Sequence, residues 1–342
     1  TQILMQGGMN PELPIEWYEE LLQTLKSKFP KIHIHAFSPP EIIEFINFFK
    51  VSGKNTLEKS KRVLKKLQDA GLDSLPGGGG EIFAPAVRQK LALGKCTGEA
   101  WLDVMQAAQE LGMHTSGTMM FGHIEGINDR IYHLDCLRKR QDFAIDNFST
   151  NGGGRYHAFI SWPFQRENTP LGRLPDWEPS SGEHFPGDLV AKLDGSGDKK
   201  NHKRFGRVIR TSGSTDYLRT QAISRLFLDN FYSIGSSWVT MGPHIGQIAL
   251  SYGANDMGSV MMEENVVSSA GATWCLNEPI LCRLIREAGF YTAQRDNNYE
   301  ILKVHDTNSS PDKIIKDWST TKTNSKSQNS DSVNITLEGA ST

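Results

Sequence analysis

The sequence lacks the features that mark membrane, secreted or nucleic-acid-binding proteins. No apolar run approaches the length of a membrane span, and no basic segment followed by an apolar one marks a leader. Lys and Arg total 37 against 39 Asp and Glu, so there is no clustered basic excess. These absences predict a cytoplasmic protein of balanced charge that binds neither membrane nor nucleic acid.

Cysteine is scarce, and a starting methionine is missing. The four cysteines, Cys96, Cys136, Cys275 and Cys282, form no CxxC pair, which is typical of reduced, packing cysteines in a cytosolic protein. The chain opens with Thr1, already inside an apolar strand. We therefore expect that the chain is truncated at its N-terminus.

Glycine is abundant at one place, a run of four glycines over residues 77–80. Pro76 precedes the run and Glu81 ends it, and a short apolar segment over residues 71–75 leads into it. Glycines give the backbone access to positive φ and leave room for a ligand. A strand that ends in a glycine loop with one acid predicts a ligand site at the carboxyl edge of an α/β sheet.

Apolar segments of strand and helix character alternate along the chain, which predicts parallel strands covered by helices. Seven strands are predicted, near residues 1–6, 32–37, 72–76, 113–121, 156–164, 236–241 and 256–262. Glycine or polar residues end nearly every strand, which favours an α/β (β/α)₈ TIM-type barrel that lacks its first strand. A doubly wound open sheet is the alternative.

Two stretches depart from this alternation. Residues 178–206 are polar with few apolar residues, which predicts a surface insertion in a barrel domain over residues 1–306. Residues 307–342 are rich in Ser, Thr, Asn, Lys and Asp, which predicts a disordered tail.

Several motifs together resemble one family, the cyclic dehypoxanthinyl futalosine synthases. They are TQILMQGGMNP at residues 1–11, GLDSLPGGGGE at 71–81, TMMFG at 118–122, SWPFQ at 161–165 and GANDMGSVMMEENVV at 253–267. The similarity extends to about residue 300, apart from the insertion. The sister enzyme aminofutalosine synthase is similar but tends to differ at the fourth and fifth motifs.

The resemblance implies a radical S-adenosylmethionine (SAM) barrel and a role in menaquinone biosynthesis by the futalosine route. The cofactors would be SAM and a [4Fe–4S] cluster, with an external electron donor such as flavodoxin or ferredoxin. The implied reaction removes a ribose hydrogen from dehypoxanthine futalosine and closes the substrate radical onto the aromatic ring. Loss of an electron and a proton then gives the cyclic product.

The resemblance also implies residue roles. SAM would contact Gly7, Gly8 and Glu81, and its adenine would lie near Met120, Phe121 and Gly122. Candidates for substrate contacts are Gln165 and Asn255, and candidates for the final proton removal are Asp256 and Glu264. The family's cluster ligands form a Cx3CxxC loop before the segment that starts this chain, and no such triad occurs here. The chain alone is therefore expected to be inactive.

Two other functions remain open at this stage. His33 and His35 lie two residues apart on a predicted strand and so share one face, where Glu81, His123 and Asp256 could complete the metal site of a hydrolase. The alternative for the two histidines is a hydrogen-bonded place inside the barrel. A non-catalytic barrel that binds a nucleoside is the remaining possibility.

Overall fold

The computed structural model describes residues 1–8, 10–91, 95–148, 152–179, 182–189, 202–260, 266–306 and 308–320. In these ranges six parallel strands form one sheet in chain order: β1 (Gln2–Met5), β2 (His33–Ala36), β3 (Ser74–Leu75), β4 (His114–Phe121), β5 (Tyr156–Pro163) and β6 (Ser233–Gly235). Strands that neighbour in sequence also pair in the sheet, which is the order of a (β/α) barrel. No pairing joins β1 to β6 within the described ranges, so the sheet is open there.

Helices connect the strands and cover one face of the sheet. They are α1 (Ile15–Lys28), α2 (Pro39–Phe48), α3 (Thr56–Ala70), α4 (Pro85–Leu91), α5 (Gly98–Glu110), α6 (Ile127–Asn147), α7 (Ser214–Phe227), α8 (Trp238–Met241), α9 (Pro243–Ala249), α10 (Val266–Ser269) and α11 (Glu278–Glu287). None of these helices is both long and apolar enough to cross a bilayer. Their inner faces form the core with the sheet, through fully buried side chains such as Leu22, Leu64, Leu67, Trp101 and Leu137.

Side-chain caps set several helix starts. Asn55 accepts a hydrogen bond from the backbone N–H of Glu58 at 2.9 Å and so begins α3. Thr97 caps α5 by accepting from the N–H of Ala100 at 3.1 Å, and Asn277 caps α11 in the same way. The last two caps confirm the helix starts predicted from the sequence.

Two predicted strands differ in the structure. In place of a strand over residues 236–241, β6 ends at Gly235 and α8 follows, because the segment turns at Ser237 and stops at Gly242, where φ is 82°. In place of a strand from residue 256, only a single parallel bridge joins Asp256 to Gly235. Residues 261 and 262 lie outside the described ranges.

An antiparallel hairpin, β7 (Ala293–Arg295) and β8 (Ile301–Val304), was not predicted and proves central to the fold. Its turn contacts the sheet face opposite the helices. The Asn297 amide nitrogen lies 2.9 Å from both Ser74 Oγ on β3 and His33 Nε2 on β2. The Tyr299 ring meets that of His157 on β5 at 5.7 Å between centroids. One short turn reaches strands this far apart because the sheet curls around it.

Parts of the predicted insertion pack against the barrel. Phe185 and Phe205 are buried, and the turn Pro186–Asp188 lies against the start of α6. A Cβ on Gly126 would lie 2.2 Å from the Gly187 carbonyl oxygen, so the two backbones touch. The stretch is therefore anchored by its aromatic residues, which its polar composition concealed. Residues 180, 181 and 190–201 lie outside the described ranges.

The stretch predicted as a tail also begins with packed residues. Asp312 accepts hydrogen bonds from the Arg286 guanidinium, the nearer at 2.8 Å, and Arg283 lies over the Trp318 ring at 4.6 Å. A segment 308–320 thus packs on α11, contrary to the expectation of disorder from Thr307 onward. Residues 307 and 321–342 lie outside the described ranges.

We predict that Asn297→Ala destabilises the protein by about 1–2 kcal/mol, because Ser74 and His33 lose a shared hydrogen-bond partner on the sheet face opposite the helices. Asn298→Ala is the matched control, since Asn298 is exposed in the same turn. Urea unfolding followed by circular dichroism measures both. Equal midpoints for the two variants would show that the turn is not held in this way.

Candidate cofactor site

The predicted site residues lie at one edge of the sheet, where the parallel strands end. Gly7 and Gly8 follow β1, the glycine run follows β3, Met120 and Phe121 are the last residues of β4, and Gln165 follows β5. Loops at the carboxyl ends of barrel strands form the active sites of this architecture. The geometry at this edge decides which of these residues can meet a ligand.

The carbonyl groups of the glycine run are all held by the protein. Arg88, itself buried, donates to the carbonyl oxygens of Gly80 at 2.7 Å and Gly79 at 2.9 Å. The Trp101 indole donates to Gly78 O at 3.0 Å, the Thr118 hydroxyl donates to Gly77 O, and Met120 N donates to Glu81 O at 3.3 Å. Within the described part of the chain, the N–H groups of Gly78, Gly79 and Glu81 have no such partner. The loop is therefore rigid on its carbonyl side, and its partly exposed residues Gly78 and Gly79 have N–H groups free for a ligand.

The glycines themselves are needed for packing more than for positive φ. Only Gly79 among the four has positive φ, at 73°. A Cβ on Gly77 would lie 2.3 Å from the Ser116 carbonyl oxygen, and one on Gly80 would lie 2.6 Å from the Thr118 carbonyl oxygen. The run thus allows the loop to lie directly against β4. Positive φ therefore explains only Gly79, and the prediction that the run leaves room for a ligand stays a prediction.

Glu81 has an unusual backbone and an unsatisfied carboxylate oxygen. Its φ of 44° is in the left-handed region, which non-glycine residues adopt at a cost and which clusters at functional sites. Oε1 accepts from Lys95 Nζ at 2.5 Å, whereas buried Oε2 has no partner among the described residues. Three residues separate Glu81 from the start of α4, so its side chain does not cap that helix. The free oxygen fits a hydroxyl donor.

The turn after β1 is exposed on one side and hydrogen-bonded to the protein on the other. Nothing lies within 4 Å of a Cβ built on Gly7 or Gly8, and both residues are exposed. The Gly7 N–H donates to Glu41 Oε1 at 3.3 Å, and the Ser38 hydroxyl donates to Glu41 Oε2 at 2.6 Å. Burial raises the pKa of the Glu41 carboxyl to about 7, against the opposing hydrogen bonds from Ser38 and Gly7.

The residues at the end of β4 face in different directions. Phe121 is fully buried toward α6, with the Arg130 guanidinium 4.5 Å from its ring centre, so its side chain points away from the barrel interior. Met120 is only partly buried. Gly122 has a φ of 86°, and its N–H donates to buried Glu125 at 2.7 Å. A ligand at this edge would meet Met120 and the backbone here.

Glu125 fixes the loop after β4. It also accepts from the His123 N–H at 2.9 Å and from Arg130 Nε at 2.8 Å. Burial raises the pKa of the Glu125 carboxyl, but the charges and hydrogen bonds of His123, Arg130 and Gly122 outweigh it and hold the pKa below its usual range. Glu125 is therefore a structural anion.

The predicted substrate residues are mostly engaged in the fold. The Asn255 side chain accepts from Arg225 at 2.7 Å and from the Ile234 N–H at 2.9 Å. Gln165 donates to the Pro163 carbonyl oxygen at 3.0 Å. Asp256 forms an ion pair with Arg295 of the hairpin and accepts from the Gly258 N–H at 2.5 Å. Glu264 lies outside the described residues.

His33 and His35 occupy the barrel interior as hydrogen-bonded residues. His33 Nε2 and His35 Nδ1 each lie 2.6 Å from Ser74 Oγ. Burial, with the positive fields of His33 and Arg295, lowers the pKa of His35 to about 3. In the described ranges no three His, Cys, Asp or Glu side chains are close enough to hold a metal ion. The hydrolase alternative therefore has no metal site in these residues.

The residues present fit SAM but not an iron–sulfur cluster. The open Gly7–Gly8 turn and the free Glu81 oxygen suit an amino acid head and a ribose hydroxyl. A cluster needs three or four thiolates together, and the described cysteines form no such group. Sequence reasoning missed Glu41 and Arg88. The available signals were an acidic residue four positions after the predicted strand at residues 32–37 and an arginine near the glycine run.

Comparison with known proteins defines the class. The model of the radical SAM superfamily matches residues 1–137, and that of the CofH/MqnC C-terminal region matches residues 196–308. Methylornithine synthase has a related fold, with a TM-score of 0.54 and 14% sequence identity, over 86% of this chain and 68% of that one. The chain is a radical SAM protein with an incomplete TIM-type barrel, as the sequence predicted.

Similarity to individual proteins identifies the family within the radical SAM superfamily. Cyclic dehypoxanthine futalosine synthase of Halalkalibacterium halodurans is 39% identical over 92% of this chain and 71% of its own length. The Streptomyces coelicolor enzyme of the same name is 36% identical over 90% of this chain and 64% of its own length. Aminodeoxyfutalosine synthase of Thermus thermophilus is 33% identical over 90% of this chain and 70% of its own length. The chain belongs to the cyclic dehypoxanthine futalosine synthase family of radical SAM proteins.

The packing role of the glycine run has a direct test. Gly77→Ala should destabilise the protein by about 1–3 kcal/mol, because its Cβ would meet the backbone of Ser116. In Gly78→Ala the nearest atom is Nε2 of Gln6, the end of a flexible side chain, so we expect a much smaller loss. The measurement is the midpoint of urea unfolding. Similar losses in both variants would contradict this packing.

Proposed function

We propose that the intact protein is a radical SAM cyclase that converts dehypoxanthine futalosine to its cyclic product in menaquinone biosynthesis. The observation that carries this proposal is the sequence similarity to two relatives named cyclic dehypoxanthine futalosine synthase. They are 39% and 36% identical to this chain. Balanced charge and four cysteines that form no disulfide support a cytoplasmic location, and an external reductant such as flavodoxin or ferredoxin completes the proposal.

When bound, SAM and its cluster supply the radical chemistry, and the residues described here position SAM. The glycine run presents its free amides on one side because Arg88, Trp101 and Thr118 hold its carbonyl oxygens on the other. Glu81 Oε2 would accept a hydrogen bond from a ribose hydroxyl, while Lys95 holds Oε1 and so fixes the carboxylate plane. The Gly7–Gly8 turn would receive the amino acid end.

Asp256 and Glu264 remain the proposed acceptors of the final proton. Asp256 is part of an ion pair with Arg295 and is largely buried, so acting as a base requires that Arg295 first release it. The structure therefore adds a condition to the role of Asp256.

The activity can be tested with the intact protein after anaerobic reconstitution of its cluster. Incubation with SAM, a reductant and dehypoxanthine futalosine should yield the cyclic product and an equal amount of 5′-deoxyadenosine by mass spectrometry. Consumption of the aminodeoxyfutalosine synthase substrate instead would replace the proposal with that activity. Turnover of neither substrate would overturn both.

The role of Glu81 can be tested separately. Glu81→Gln should weaken SAM binding about ten- to a hundredfold, because a charged acceptor of ribose hydroxyls becomes neutral. Lys95→Gln is the matched comparison, since it removes the same ion pair but keeps the Glu81 carboxylate, so it should weaken SAM binding less than Glu81→Gln does. Isothermal titration of the reconstituted enzyme measures both. Equal affinities in wild type and Glu81→Gln would rule out the ribose contact.

A further inference from the structure

The Glu41 carboxyl lies directly beneath the Gly7–Gly8 turn. Glu41 belongs to the first turn of α2 and is 5% exposed. One carboxyl oxygen accepts from the Gly7 N–H and the other from the Ser38 hydroxyl. A single side chain therefore links the loops that follow β1 and β2, and it fixes the position of the Gly7 amide.

No cation compensates this carboxyl within the described residues. The groups that face it are the Ser38 hydroxyl from the β2 loop, the Gly7 N–H from the β1 loop and the Tyr18 phenol from α1. Burial, with the nearby Glu41 charge, raises the pKa of Tyr18, so that phenol is neutral near pH 7. A buried carboxylate without a positive partner is costly, and it favours binding of a cation nearby.

The space for such a cation lies on the other side of the turn. Gly7 and Gly8 are exposed, and no atom lies within 4 Å of a Cβ built on either residue. The same edge of the sheet holds Glu81 with its free carboxylate oxygen. A ligand with a cationic amino group at one end and a ribose at the other would match these two positions.

We propose that Glu41 is a positioning residue that orients the Gly7–Gly8 turn and supplies the counter-charge for the cationic α-amino group of a ligand bound there. The inference rests on the proposed function only in taking SAM as that ligand. It concerns electrostatics beneath the turn and does not require any particular substrate of the enzyme.

The proposal has a consequence for pH dependence. The free protein holds this carboxyl partly protonated near pH 7, since burial raises its pKa to about 7. A bound cation favours the carboxylate, so ligand binding should release a proton from Glu41. Affinity should then fall as the pH drops below 7, because protonation must be reversed before the cation can bind. The α-amino group itself stays mostly protonated below about pH 7.7.

The test uses the intact, cluster-loaded enzyme and isothermal titration between pH 6.0 and 7.5. In the wild type, SAM affinity should weaken about four- to eightfold from pH 7.5 to 6.0. In Glu41→Gln the affinity should be about tenfold weaker at pH 7.5 and nearly constant over this range. Glu44→Gln on the same helix is the control and should behave as the wild type. Thermal unfolding of each variant checks that the fold is kept.

A second ligand separates the amino group from the nucleoside. 5′-Methylthioadenosine lacks the α-amino group, so its affinity should show neither the pH dependence nor the loss in Glu41→Gln. A pH-independent SAM affinity in the wild type, or the same pH dependence in Glu41→Gln, would overturn the proposal. Because no turnover is measured, failure of the cyclase assay leaves this result interpretable on its own.

Discussion

The site depends on how the backbone carbonyls of the glycine run are held. Arg88 binds two of them from a buried position, and Trp101 and Thr118 bind the two before. With every carbonyl directed into the protein, the amide side of the loop is left for a ligand. Arginine suits this task because its planar guanidinium presents several donors at fixed angles. The glycines permit the arrangement by letting the loop lie against β4.

A second constraint ties the C-terminal region to the barrel. The β7–β8 turn places Asn297 and Tyr299 against the sheet face opposite the helices, where they contact His33 and His157. Burial lowers the pKa of His157 to about 3, with further lowering by His114 and Arg155, so the His157 imidazole is neutral near pH 7. Arg295 of the same hairpin holds Asp256, and Asp256 bridges to β6. The hairpin thus orders both the barrel interior and one predicted catalytic residue.

The sequence was sufficient for features with local causes. Alternating apolar segments predicted parallel strands, and Thr97 and Asn277 predicted helix starts, because a cap bonds to backbone three residues away. It was insufficient where distant partners decide the outcome. The run Trp238–Met241 has strand-like residues yet forms a helical turn, and the anchoring of Phe185 and the Asp256–Arg295 pair join segments far apart in sequence. Glu41 was missed because only the fold brings it under Gly7.

The central claim is that the loops after β1 and β3 together form a SAM-binding site that is already in place before SAM binds. Hydrogen exchange of the intact, cluster-loaded enzyme with and without SAM tests it most directly, because the amides of Gly78, Gly79 and Glu81 have no partner in the described structure. The account predicts that SAM slows exchange in peptides covering residues 5–10 and 76–82 and leaves the β7–β8 hairpin unchanged. Slower exchange at the hairpin with no change at the two loops would contradict it.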